Sequence, residues 1–535
     1  MKQAKQIFRD AILLTFTSLL IRTVGVWFQI YISARAGAEA MGLYALMSGV
    51  YGFALTLATS GIHLGVTRVV AEMLSRKQED RIPSLMRRAI LYALFFGSLS
   101  AILLFSFAKP ISLRWLKDTR TVTSLRILSI TLPLISLTSV FGGYFTAVRR
   151  STKSALGQIT EQGLRIFFCM YLLSLPFANT AERLLNALVI GGALSEILSF
   201  LLEFTLYLLD KHHHFPNRTR EVASLEGMQL IRITLPVALT TYIRSGLLTL
   251  EHILIPEGLR NSGASHSAAL AAYGSIQSMA LPIILYPAAL IGAFSGLLIP
   301  AVAECYVSES EKRLRYMISR VWHLSMIFSI GVAGILICFS AELGNALYPG
   351  TQTASYIRLL APLIPVMYVD TATDAILKGI GQQLYSMIIN IIDAGLSVLL
   401  VLILVPKFGI TGYLITVYIS ETFNTVFSVT RLLMLSKTRV HPLKWVYLPL
   451  LSVVGATCCA HFLFSRLPHL PSGKWEIALH CTFTAWIYLL FLFLSNSLGK
   501  EERAWIRTLF SYPRLKTKDG VVSPPKHRKV FRERV

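Results

Sequence analysis

The chain has 535 residues, of which 54% are hydrophobic and only 15% charged, with a mean hydropathy of +0.59. That composition excludes an ordinary soluble globular domain. A formal net charge of +23 would suit a nucleic-acid partner, but the basic residues are dealt out between apolar runs, which points to membrane topology instead.

Fourteen stretches approach the ~20 apolar residues that cross ~30 Å of hydrocarbon. In chain order they are 11–33, 41–66, 89–108, 125–148, 155–175 and 184–209, then 230–255, 268–302, 321–339, 359–377, 384–405 and 410–433, and finally 446–464 and 477–494. They predict an all-α polytopic membrane protein. The first run is longer than the ~7 to 15 residues of a signal-peptide core and contains Arg22, so it reads as an uncleaved span. Lys2, Lys5 and Arg9, then Arg76, Lys77, Arg81, Arg87 and Arg88, then Arg149, Arg150 and Lys153 fall on one side of alternating spans. Lys312, Arg313 and Arg315, and later Arg431, Lys437, Arg439 and Lys444, continue that side. The positive-inside rule makes it the cytosolic side and puts both termini there. The connection with Lys109, Arg114, Lys117 and Arg120 breaks the alternation.

The basic tail over 499–535 reads as a topology anchor that touches anionic lipid headgroups. Six scattered cysteines and the run His212–His214, read as part of a cytosolic loop, show no metal-ligand spacing. No cofactor is expected, and no phosphate-binding glycine-lysine signature is present. Connections are too short for a catalytic domain, so an enzyme is not expected.

The first six runs match the next six. Ile21-Arg22-Thr23 corresponds to Ile243-Arg244-Ser245, Ala71-Glu72 to Ala303-Glu304, and Pro133-Leu134-Ile135 to Pro362-Leu363-Ile364. Gln158 and Glu161 correspond to Asn390 and Asp393, and Ser195-Glu196 to Ser420-Glu421. An even number of spans per copy makes this a parallel repeat about an axis along the membrane normal. The expected organisation is an N-terminal lobe over 1–210, a C-terminal lobe over 211–435, two extra spans within 436–498, and the tail.

A cation at mid-bilayer costs about 2.5–3.5 kcal/mol on insertion scales, so Arg22 and Arg244 are expected to face an interior or a watery cavity. Their planar donor forks suit phosphate oxygens, which predicts a symmetric cationic cavity for an anionic substrate. The competing reading is a carboxylate partner within each lobe. Arg165 is a third candidate substrate contact, although Glu161, four residues earlier, shares its helix face and reads equally as a local counter-ion. Glu161, Glu251, Asp393 and Asp374 are candidates for proton or sodium coupling. Pro282 and Pro287, in an overlong eighth run, are candidate hinge residues.

Several segments together carry a family resemblance: Ser60-Gly61-Ile62 leading to Val70-Ala71-Glu72, Gly143-Tyr144-Phe145, Glu161-Gln162 with Arg165, and Met279-Ala280-Leu281-Pro282 through Pro300-Ala301-Val302-Ala303-Glu304. Through about residue 435 the chain resembles the oligosaccharide flippase branch of the multidrug/oligosaccharidyl-lipid/polysaccharide exporter superfamily, of the stage V sporulation protein B type. The resemblance implies a monomeric transporter in a bacterial plasma membrane, working beside cell-wall synthesis proteins. It would move an undecaprenyl-pyrophosphate-linked sugar, a precursor of peptidoglycan or polysaccharide, from the inner to the outer leaflet by alternating access. The alternatives are a cation-coupled multidrug exporter of the same superfamily and a non-transporting scaffold for cell-wall assembly.

Overall fold

The computed structural model describes residues 2–175, 181–214, 224–307, 311–438, 440–465, 474–495 and 497. The basic tail over 499–535 lies outside the described residues. Within them the chain is helical throughout: α1 (Lys2–Thr59), α2 (Ile62–Ser75), α3 (Ile82–Pro110), α4 (Thr121–Ala147), α5 (Ser151–Ser174) and α6 (Ala181–His214) form the first half. The second comprises α7 (Ser224–Asn261), α8 (His266–Gly274), α9 (Leu281–Leu285), α10 (Ala288–Val307), α11 (Glu311–Cys338), α12 (Ser340–Leu347), α13 (Thr353–Leu360), α14 (Ile364–Gly379), α15 (Gln383–Phe408) and α16 (Ile410–Ser436). Helices α17 (Leu448–Ser465) and α18 (Lys474–Leu494) follow.

Eleven helical segments among the described residues are long and apolar enough to cross a membrane, so this is an all-α multi-pass membrane protein. The first, Leu19–Ser75, has 57 residues. At ~1.5 Å per residue its path is about 85 Å long, more than twice the hydrocarbon thickness. It is broken at Gly37, whose φ of 76° and ψ of 167° suit a residue without Cβ. The runs 11–33 and 41–66 are therefore joined through a kink, with no separate loop. Two expected spans, α5 and α16, are not among the eleven. Glu161 and Arg165 in one, and Glu421 and Asn424 in the other, exchange hydropathy for interior polar groups. The run His212–His214 also differs from its expected loop, because α6 continues through His214.

The repeat is visible in which helices touch. In the first half α3 and α2 pack on α4, α4 packs on α6, and α5 packs on α6 and α1. In the second, α11 and α10 pack on α14, α14 packs on α16, and α15 packs on α16 and α7. The added helices pack on each other and on α11.

The two halves meet along α1. A Cβ at Gly274 of α8 would lie 2.2 Å from the Ala38 carbonyl oxygen and 2.5 Å from the Gly42 nitrogen, and one at Gly42 would lie 2.0 Å from the Leu270 oxygen. Both obstacles are backbone, which cannot step aside as a side chain can. Gly274→Ala is thus expected to destabilise the protein by about 1–3 kcal/mol, read as a lower melting temperature in detergent. An unchanged melt would show that α1 and α8 can separate freely.

The connection that broke the charge alternation has structural work for two of its four cations. Lys117 Nζ lies 2.6 Å from Glu257 Oε1 on α7, and Arg120 Nη2 lies 2.6 Å from Asp118 and 3.0 Å from Glu39 on α1. His266, at the start of α8, approaches Asp118 at 3.5 Å. Asp118 stands between the spans. Burial raises its pKa, but hydrogen bonds and charge from Arg120 outweigh this and hold the carboxyl below its ordinary 3.8. A depressed carboxylate contributes stability above its unfolded pKa and loses it as pH falls through the folded one. The Asp118 contribution should therefore be constant from pH 8 to 5 and fade below about pH 4. Asp118→Asn should reproduce the loss at neutral pH as faster amide exchange over 117–121, and native protection in that variant would count against the network.

Candidate functional site

Polar residues recur at helical spacing on otherwise apolar helices. Along α15 they are Ser386, Asn390, Asp393 and Ser397; along α16, Tyr413, Ser420, Glu421 and Asn424; along α14, Asp370, Asp374 and Lys378. Steps of three or four place the α14 and α15 sets each on one face, and these, with the α16 residues and Arg244 and Glu251 of α7, line a cavity of about 770 Å³. Arg244 and Glu251, two turns apart, share that wall.

Hydrogen bonds fix most of these acids. Ser397 Oγ donates to Glu251 at 2.7 Å, Ser420 Oγ to Asp393 at 2.6 Å, and Asn424 Nδ2 to Asp370 at 3.3 Å. Lys378 Nζ is 2.5 Å from Asp374. Among the described residues, five carboxylates thus face two cations, Arg244 and Lys378. The expected symmetric cationic cavity is corrected here: on the side of Arg244 the lining is acidic.

The first half shows why. Arg165 Nη2 donates to Glu161 at 2.6 Å and to Glu196 at 2.8 Å, joining α5 to α6. The offset that carries Glu161 to Asp393 carries Arg165 to Ser397. Where one half has a cation between its acids, the other has a hydroxyl. Arg165 and Glu196 border a separate cavity of about 130 Å³ with Tyr44 and Tyr51. Glu161 and Arg165 therefore do not meet Glu251, Asp393 and Asp374, and Arg165 is already held by two carboxylates.

Arg22 lies in a third cavity of about 320 Å³, whose lining contains no carboxylate among the described residues: Val26, Gln277, Leu281, Pro282, Leu285 and Tyr286 surround it. Gln277, Leu281 and Leu285 also line the large cavity. The cavities of the two arginines thus adjoin along one short segment that lines both.

That segment is the broken eighth run. It passes from α8 through a widened turn over Ser275–Ala280 into α9, and turns at Tyr286 and Pro287 into α10. Pro282 has no N–H to offer the Ser278 carbonyl. Gln29 of α1 supplies a donor instead, its Nε2 lying 3.2 Å from that oxygen. Tyr368 of α14 donates to the Ile284 carbonyl at 2.7 Å. Tyr286 meets Thr23 beside Arg22 at 3.0 Å. Gln29, Gln277 and Tyr368 were not predicted from sequence. Only the prolines signalled that nearby carbonyls would need outside donors.

Comparison with known proteins agrees with this architecture. A family model described as polysaccharide biosynthesis protein matches residues 7–295, and a MatE model matches 262–403. Stage V sporulation protein B of Bacillus subtilis (strain 168) is 22% identical over 513 residues, covering 93% of this chain and 97% of its own. Lipid II flippase MurJ of the same organism is 22% identical over 429 residues, covering 74% and 77%. A solved structure of lipid II flippase MurJ in an inward closed conformation aligns with a TM-score of 0.68 at 12% identity, over 94% of this chain and 100% of that one. An inward-facing multidrug resistance MATE family transporter aligns with a TM-score of 0.61 at 15% identity, over 80% and 100%. Likeness at such identities shows a shared transporter fold. Because the first family model spans more than half of the sequence, the chain belongs to the polysaccharide biosynthesis protein family, within the multidrug/oligosaccharidyl-lipid/polysaccharide exporter superfamily.

Proposed function

We propose that the protein is a flippase for a lipid-linked sugar bearing a pyrophosphate, of the undecaprenyl type, moved from the inner to the outer leaflet of a bacterial plasma membrane. The observation that carries this reading is Arg22, a permanent cation inside a spanning helix, facing a cavity with no carboxylate among the described residues of its lining. Such a group favours an anion. Arg244, in the adjoining cavity, is the second phosphate contact. Arg165, already held by Glu161 and Glu196, positions the first half and is not assigned to substrate. Lobes over 1–210 and 211–435 rock against each other, with Pro282 and Pro287 at the flexing segment. Glu251, Asp393 and Asp374 take up the coupling cation, and Glu161 does not.

With the cytosol negative, moving one negative charge outward is downhill by about 2.3 kcal/mol per 100 mV. The test is reconstitution in vesicles with a labelled undecaprenyl-pyrophosphate sugar. Flux should rise when an inside-negative potential is imposed on inside-in vesicles. No movement at any potential would leave the scaffold reading standing. The five carboxylates of the large cavity favour a second reading, a cation-coupled multidrug exporter. Translocation of a cationic dye without translocation of the lipid would establish it.

A further inference from the structure

Away from the cavities that hold the arginines of the repeat, a groove of about 420 Å³ opens on the outside of the bundle where α1, α3 and α7 meet. Ala54 and Leu57 of α1 and Leu103 and Phe107 of α3 form its walls, with Thr249 of α7 along one edge. Leu103 and Phe107 are 42% and 54% exposed. Its two hydroxyls are already committed to backbone: Ser100 Oγ donates to the Ala54 carbonyl at 2.6 Å, and Thr249 Oγ1 to the Gly49 carbonyl at 3.0 Å. The groove therefore presents hydrocarbon and almost nothing else.

Arg114 borders this groove beside Trp115, just beyond the end of α3. Its neighbours Lys117 and Arg120 are taken up by Glu257, Asp118 and Glu39. Among the described residues Arg114 has no hydrogen bond or ion pair, and none of those lining the groove is an acid. An arginine and a tryptophan at the end of a span are placed where headgroups lie. An apolar trough ending in one uncompensated cation is complementary to an amphiphile with a long hydrocarbon chain and an anionic head.

We infer that this groove is a binding site for one anionic glycerophospholipid of the surrounding bilayer, with an acyl chain along α1 and α3 and the phosphate on Arg114. Because α7 belongs to the second half and α1 and α3 to the first, the bound lipid lies across the seam between them. It reinforces the same end of the bundle as the Lys117–Glu257 pair. The site is independent of the transported substrate.

The test is native mass spectrometry of the full chain released from membranes of equimolar phosphatidylglycerol and phosphatidylcholine with identical acyl chains. Wild type should retain one phosphatidylglycerol with about five-fold preference. Arg114→Gln should bring the preference to about one, and Leu103→Trp, which fills the trough, should lower retention of both lipids. Leu399→Trp, on an exposed face of α15, should change neither. If Leu103→Trp fails to fold, Arg114→Gln still decides, since it alters an exposed residue. The inference is overturned if wild type shows no preference or Arg114→Gln keeps it. It is equally overturned if Leu399→Trp matches Leu103→Trp, or if a polyprenyl phosphate displaces phosphatidylglycerol at equal concentration.

Discussion

Arg22→Ala is expected to lower the flux of lipid-linked precursor in reconstituted vesicles by roughly ten- to a hundredfold, with insertion and melting temperature unchanged. Hydrogen bonds to a charged partner contribute about 1.5–3 kcal/mol, and each ~1.4 kcal/mol is a factor of ten. Arg22→Lys should recover part of the flux, because the charge returns without the planar fork. Stability should stay put because no carboxylate among the described residues lines the Arg22 cavity, so its removal strands no buried counter-ion there. Arg244→Ala should act more weakly, since that arginine already shares its cavity with five acids. Normal flux in both alanine variants would remove the phosphate role altogether.

Arg165→Ala is expected to do the opposite, damaging the fold first. It would leave Glu161 and Glu196, now bridged by one guanidinium, facing each other without a cation. Breaking a buried pair by removing one partner destabilises by about 3–5 kcal/mol, and the lower end applies because 36% of the Arg165 side chain remains accessible. The double change Arg165→Ala with Glu196→Gln should restore most of the lost melting temperature. A single variant as stable as wild type would show that the two acids do not need Arg165 between them.

These two arginines show how far the sequence could be read. Both are visible as cations inside apolar runs, and the repeat aligns their lobes correctly, because a 20-residue apolar run and a matched dipeptide are local signals. Their surroundings are not local. Arg165 differs from Arg22 because carboxylates four residues away and on the next helix reach it. That depends on how α5 turns against α6. Symmetry also misleads where one position has changed. With Ser397 in place of an arginine, Asp393 and Glu421 lack a guanidinium bridging them as Arg165 bridges Glu161 and Glu196, and a cavity expected to be cationic is acidic. The prolines of the eighth run were legible as a break, whereas the donor from Gln29, 249 residues away in sequence, was not.

That donor constrains how the molecule can move. The Ser278 carbonyl cannot receive an N–H from Pro282 and belongs to a buried residue, and a buried acceptor stripped of its donor costs about 1–3 kcal/mol. Ser278 also reaches back, its Oγ donating to the Met41 carbonyl at 3.0 Å. The first helix on both sides of its Gly37 kink is thus tied to one residue of the opposite half. In the proposed rocking of the halves, Ser278 would travel with α1, so that the bending at Pro282 and Pro287 lies beyond that tie, on either side of the Ile284 carbonyl held by Tyr368 of α14.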